Sequence, residues 1–179
     1  MARRPHRQNG LTLIELLVTL GSMAVLSVAT TSLLPGFIQQ NRIAAAVNDI
    51  VSAIHLGRSE AIMRRRQVVL CPSADGRTCG NSADWPQGWL LFASHDRKRD
   101  PNEPLLRVGN PLGPGIHLRS GNHRKRIAWQ PNGSSPGANS SFTFCGSNRR
   151  VSPRVLCLSN SGRVRLSHTR CDGRPVNCP

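Results

Sequence analysis

The sequence predicts an α+β fold in which a long N-terminal helix packs on a small, mostly antiparallel β-sheet. Three observations predict it. Residues 11–34 form one apolar run that carries a single charge, Glu15. From Ile43 to Ala61, apolar residues recur at spacings of three and four. Beyond Gln67 the texture changes to short β-like runs separated by Gly, Pro, Asn and Ser clusters. The 179 residues leave room for one ordinary domain. The expected layout is a leader over 1–10, a transmembrane helix over 11–35, an amphipathic helix over 36–66 and a β-rich globular part over 67–179.

The first element is the run from Leu11 to Leu34. At about 1.5 Å per residue it is long enough for a helix to cross a ~30 Å hydrocarbon core. Arg3, Arg4 and Arg7 precede it, and only Arg42 lies in the twenty residues that follow. The positive-inside rule then places the N terminus in the cytoplasm and the rest of the chain outside. A secretory signal would have its cleavage site after the apolar stretch, but here a glycine, Gly10, stands before it. Glu15 at membrane depth would cost about 2.5–3.5 kcal/mol, so a partner is expected for it.

Pro35-Gly36 is expected to interrupt or kink the helix. The second helical stretch places Ile43, Val47, Ile50, Ile54, Gly57 and Ala61 on one apolar face and is expected to end near Arg66. Arg64, Arg65 and Arg66 suit the negative end of the helix dipole, and this capping reading is preferred to a nucleic-acid contact. Eight β-like runs follow: Val68–Cys71, Trp89–Phe92, Leu105–Val108, Ile116–Leu118, Ile127–Trp129, Phe142–Phe144, Val155–Leu158 and Val164–Leu166. The stripe from Ile43 to Ala61 can cover the apolar face of the sheet they form.

Charge and cysteines narrow the function classes. Twenty-four Lys and Arg face nine acids, a formal net charge of +15. From Pro104 to Pro179 twelve basic residues accompany one acid, Asp172. That half is a footprint for a polyanion or an anionic membrane surface. Cys71, Cys79, Cys145, Cys157, Cys171 and Cys178 show no C-x-x-C spacing, so disulfides are expected rather than a metal site. Six cysteines allow fifteen connectivities. Sequence-local pairing would join Cys71–Cys79, Cys145–Cys157 and Cys171–Cys178. No G-x-S-x-G, H-E-x-x-H or phosphate-loop order is present, so neither an enzyme nor a cofactor is expected. Trp89 reads as core; Trp85, beside Pro86, is the tryptophan left open for stacking on a base.

Residues Gly10-Leu11-Thr12-Leu13-Ile14-Glu15 resemble the G-F-T-L-I-E signature of type IV prepilins and pseudopilins, departing from it at Leu11. The resemblance implies cleavage by a prepilin peptidase between Gly10 and Leu11 with methylation of the new N terminus. It also implies that Glu15 meets the N-terminal ammonium of a neighbouring subunit during filament assembly. Asn48–Ala53, Arg58-Ser59-Glu60-Ala61, Val69–Ser73, Gly88–Phe92 and Ser161–Arg165 are similar to stretches of the GspH/FimT pseudopilin family. The family resemblance implies a minor subunit of a type IV pilus or a type II secretion pseudopilus. Such a subunit sits first in the bacterial inner membrane, with its globular part in the periplasm, and then in a filament with other pilin subunits.

In a strand, Arg163 and Arg165 of Gly162-Arg163-Val164-Arg165 project from one face, about 6.6–6.8 Å apart, while Val164 turns inward. Within the family, G-R-x-R near the C terminus is associated with DNA binding in natural transformation. The resemblance makes Arg163 and Arg165 the first DNA contacts, with Arg149, Arg150, Arg154 and Arg170 as weaker candidates. A Cys145–Cys157 bond would pin the loop holding three of these. Two readings remain open: a DNA-binding minor pilin, with sequence-independent contacts to phosphates, and a structural secretion pseudopilin that binds no DNA.

Overall fold

The computed structural model describes residues 10–31, 34–95, 103–121, 124–147 and 151–178. They fall into two compact units, Met1–Phe37 and Ile38–Pro179.

In the first unit, α1 spans Leu13–Thr31. Thr12 caps it: its Oγ1 accepts from the Glu15 backbone N–H at 3.3 Å, and its carbonyl accepts from Leu16 at 3.2 Å. Glu15 therefore stands in the first turn, three residues after a threonine cap, where a carboxylate complements the positive helix end. The large apolar side chains of α1 are exposed, from Leu13 at 78% to Leu26 at 66%. Among the described residues no helix is long and apolar enough to cross a membrane. The run expected to do so contains residues 32–33, which lie outside the described residues, between α1 and the next described helix at Leu34.

α2 spans Leu34–Arg64. Pro35 and Gly36 are themselves helical, so the chain is not broken at these two residues. The helix stops two residues before Arg66 because Arg65 takes a left-handed φ of 51°. Ile43, Val47, Ile50, Ile54, Gly57 and Ala61 are all buried, as their spacing requires. Each fully buried isoleucine contributes roughly 1.5–3 kcal/mol.

The eight expected strands are all present: β1 Gln67–Pro72, β2 Trp89–Ser94, β3 Leu105–Gly109, β4 Ile116–Ser120, β5 Ile127–Trp129, β6 Ser140–Gly146, β7 Arg154–Leu158 and β8 Val164–Ser167. They make two four-stranded antiparallel sheets, not one, ordered β3-β2-β1-β5 and β4-β6-β7-β8. Both sheets turn an inner face to α2. Val68, Leu70, Leu91 and Trp129 of the first share one core with Leu118, Phe142, Phe144 and Leu156 of the second. The first sheet is also buried on its outer face, where Val69, Cys71, Leu90 and Phe92 form a second cluster. A polar clasp holds α2 to β3: Arg107 donates to Asp49 Oδ1 at 2.7 Å and Ser52 Oγ at 2.8 Å, with its guanidinium 5.5 Å from the Trp89 ring centre.

All three tryptophans are buried, Trp85 included at 1% exposure. Trp85 meets Phe142 edge to face at 5.1 Å, and its backbone N–H donates to Leu118 at 2.9 Å. The expectation that Trp85 is open for base stacking is therefore wrong: the loop that carries it is laced to β4, which draws the ring inward.

Candidate functional site

The outer face of the second sheet is polar, because β4, β6 and β7 alternate. Leu118, Phe142, Phe144, Leu156 and Leu158 point to the core, which leaves His117, Arg119, Ser141, Thr143, Cys145 and Cys157 on the other side. On β8, Arg165 lies opposite Cys157, and so belongs to this outer face, while Val164 lies opposite Leu158. Arg163 precedes Val164 and shares the face of Arg165. Both arginines are exposed. Neither guanidinium has a hydrogen-bond or ion-pair partner among the described residues, although the Arg163 carbonyl accepts from the Ser159 backbone N–H at 3.0 Å and hydroxyl at 3.1 Å.

The turn before β8 is set by Gly162. Its φ is 75°, and its N–H donates to Ser159 O at 2.9 Å. A Cβ there would lie 2.7 Å from the Gly133 carbonyl and 3.3 Å from the Trp129 ring. Any side chain at 162 would both strain the turn and push it off the core. Trp129 is held from its other side by α2, since a Cβ at Gly57 would lie 2.7 Å from Cζ3 of the same ring. Arg163 thus follows a turn seated on a fixed ring.

The structure divides the weaker candidates. Arg154 lies opposite Phe144, on the core-side face of β7, and its Nη1 is 3.1 Å from His168 Nε2. It is not grouped with Arg163 and Arg165. Arg170 lies on the C-terminal segment over the outer face, 3.7 Å from Asp172. Arg149 and Arg150 lie outside the described residues.

The disulfides explain how that segment is held. Cys71–Cys79 pairs as expected, but the other two bonds are Cys145–Cys178 and Cys157–Cys171. The expected Cys145–Cys157 pair is excluded by strand register, and Cys171 and Cys178 are each taken by a strand cysteine in place of one another. Cys157 lies opposite Ser141, so Cys145 stands four residues, about 13 Å, further along β6. Each strand cysteine instead takes one from the C-terminal segment. Among the described residues the hydrogen bonds of segment 170–178 are internal: Arg170 N–H to Arg174 O, Gly173 N–H to Arg170 O and Arg174 N–H to Asp172. The two disulfides are what strap it to the sheet. Beneath it lies a cavity of about 440 Å³, floored by β4 and β6.

Reasoning from the sequence missed His117 and Arg119, which stand on this face beside the cavity. The alternation I-H-L-R-S of β4 carries the signal, since Ile116 and Leu118 are the inward pair. Arg119 donates from Nε to Asp84 at 3.0 Å. At the opposite end of the chain, Gly10 and Leu11 are exposed ahead of α1. A Cβ at Gly10 would meet nothing within 4 Å, so the fold supplies no steric reason for glycine there.

A helix with one buried stripe, backed by two small antiparallel sheets and preceded by an exposed apolar helix, defines a pilin-like subunit. Residues 46–162 match the family model described as type II transport protein GspH. The chain belongs to that family and is a pseudopilin of the GspH/FimT type. Its fold is similar to that of the type IV minor pilin FimU of Pseudomonas aeruginosa strain PAO1. One FimU crystal form matches at TM-score 0.59 and 20% identity, over 73% of this chain and 92% of that one. A second form matches at TM-score 0.56 and 19% identity, over 69% and 91%. No curated protein sequence matches the chain. The family match begins after Glu15 and stops at Gly162, so the processing motif, Arg163, Arg165 and the strap lie beyond it.

Proposed function

We propose that the chain is a minor pilin-like subunit that binds extracellular DNA through Arg163 and Arg165 for uptake in natural transformation. The observation that supports this is a pair of exposed arginines on one strand face, whose guanidinium groups have no partner among the described residues. The turn that carries them is seated on Trp129. An unpaired guanidinium is free to take a phosphate in a two-point contact. Binding is independent of base sequence, with dissociation constants of about 10⁻⁴–10⁻⁶ M at physiological salt. The role is assembly and capture, not catalysis.

In the same reading a prepilin peptidase cuts between Gly10 and Leu11 and methylates the new N terminus. The apolar surface of α1 is covered by the inner membrane, with the globular part in the periplasm, and later by other pilin subunits in the filament. Glu15 then meets the N terminus of a neighbouring subunit. The openness around Gly10 supports selection of that glycine by an enzyme and not by the fold. Replacing Gly10 with Val is expected to leave an unprocessed precursor, read by mass; normal processing would remove the leader assignment.

The test of DNA binding is the salt dependence of duplex affinity for the full chain in nonionic detergent. Arg163→Ala with Arg165→Ala is expected to flatten the slope of log affinity against log salt by about 1–2. An unchanged slope would exclude these residues. The family description, a type II transport protein, favours a second reading in which the subunit builds a secretion pseudopilus and binds no DNA. Deleting the gene separates the two: lost transformation with intact secretion supports the first, and the reverse supports the second.

A further inference from the structure

We infer that the cavity beneath the C-terminal strap is a pocket for one unpaired nucleotide, so that the subunit prefers single-stranded or frayed DNA to intact duplex. The inference rests on the DNA-binding reading above. At about 440 Å³ the cavity is far larger than a lone phosphate needs and falls in the usual range for small-ligand sites, roughly 300–1,000 Å³.

The chemistry of its walls suits the parts of a nucleotide. Arg119 enters from β4 and Arg170 from the strap, so guanidinium groups from two separate elements line one cavity. Their present partners are exposed carboxylates, Asp84 at 3.0 Å and Asp172 at 3.7 Å. Such surface pairs are worth little and exchange readily for a phosphate. Ser141 and Thr143 supply hydroxyls from the floor, and Pro86 and Val176 supply apolar surface for a sugar or a base face.

Placement makes the pocket part of a track. It shares the outer face of the second sheet with Arg163 and Arg165, which stand three strands away across β6 and β7, a distance of about 14 Å. A strand lying along β8 therefore reaches the pocket within a few nucleotides. A base stacked and paired in a duplex cannot pass under a strap fastened at both Cys157 and Cys145. An unpaired one can.

The test titrates 2′-deoxycytidine 5′-monophosphate, and separately inorganic phosphate, into the isotope-labelled full chain in nonionic detergent, following backbone amide shifts. The nucleotide is expected to give saturable shifts at Thr143 and Val176, with inorganic phosphate about tenfold weaker. Thr143→Leu, which fills the floor, and Arg170→Ala, in an exposed turn, are each expected to weaken the nucleotide about tenfold. Mass analysis verifies three disulfides in both variants.

Absence of saturable shifts at the cavity would overturn the inference. So would phosphate binding as tightly as the nucleotide, or both variants binding as the wild type does. Duplex binding with an Arg163/Arg165-dependent salt slope, but no nucleotide in the cavity, would remove this inference alone. Nucleotide in the cavity without duplex binding would instead remove the Arg163/Arg165 reading.

Discussion

The two sheets of the globular unit share a core and differ on their outer faces. In the first, β2 is buried along its whole length, and Val69, Leu90 and Phe92 pack on the side away from α2. In the second, the side away from α2 carries hydroxyls, arginines and two cysteines, and its cover is a strap held by disulfides. One sheet is sealed by the hydrophobic effect on both sides. The other is sealed on one side only and left wet where charge is concentrated. This teaches a division of labour: the first sheet supplies rigidity, and the second can vary its outer surface without dissolving the core.

Substitution on the two outer faces tests that division most directly. Phe92→Ala is expected to cost about 3–5 kcal/mol in chemical denaturation, because it opens a cavity in a closed cluster. Thr143→Ala is expected to stay within about 0.5 kcal/mol. Equal costs would break the comparison. Removing disulfides sharpens it. Cys71→Ala with Cys79→Ala is expected to lower global stability by about 2–5 kcal/mol, since Cys71 is fully buried in the first sheet. Cys145→Ser with Cys178→Ser is expected to show first as faster amide exchange in residues 171–178 while β6 and β7 stay protected. Loss of protection across β6 would mean that the strap holds the sheet and not the reverse.

The smallest expected effect concerns pH. Asp75, in the loop closed by Cys71–Cys79, accepts from the Thr78 and Arg77 backbone N–H groups and from the hydroxyls of Thr78 and Ser73. These bonds, that from the Thr78 backbone above all, hold its carboxyl well below the usual carboxylate range. A depressed folded-state pKa stabilises the protein above the unfolded value and loses that contribution as pH falls. Stability should therefore decline below about pH 4, and Asp75→Asn should flatten the decline. An identical acid profile in the variant would remove Asp75 from the account.

Much of this architecture was legible in the residues. The unbroken run W-L-L-F-A-S announces a strand buried on both faces, and I-H-L-R-S announces one with a wet face. The stripe Ile43–Ala61 named the covering helix. Strand pairing was not legible, since local runs do not say which strands become neighbours. That is why two sheets were read as one, and why Cys145 and Cys157 were joined although register sets them about 13 Å apart. Trp85 was misplaced for a related reason: its burial depends on a bridge to β4 from a loop more than thirty residues earlier. The proposed site was legible only in part. Arg163 and Arg165 came from a local motif, whereas Arg119 and the cavity depend on where the strap is fastened.

The stack of Gly57, Trp129 and Gly162 also has a mechanical meaning. It joins α2 to the arginine turn through one rigid ring, with no flexible side chain between them. Tension or torque carried by α2 is therefore delivered to Arg163 with little slack. A stiff linkage of this kind turns displacement of the helix into displacement of the arginine turn, whatever that turn holds.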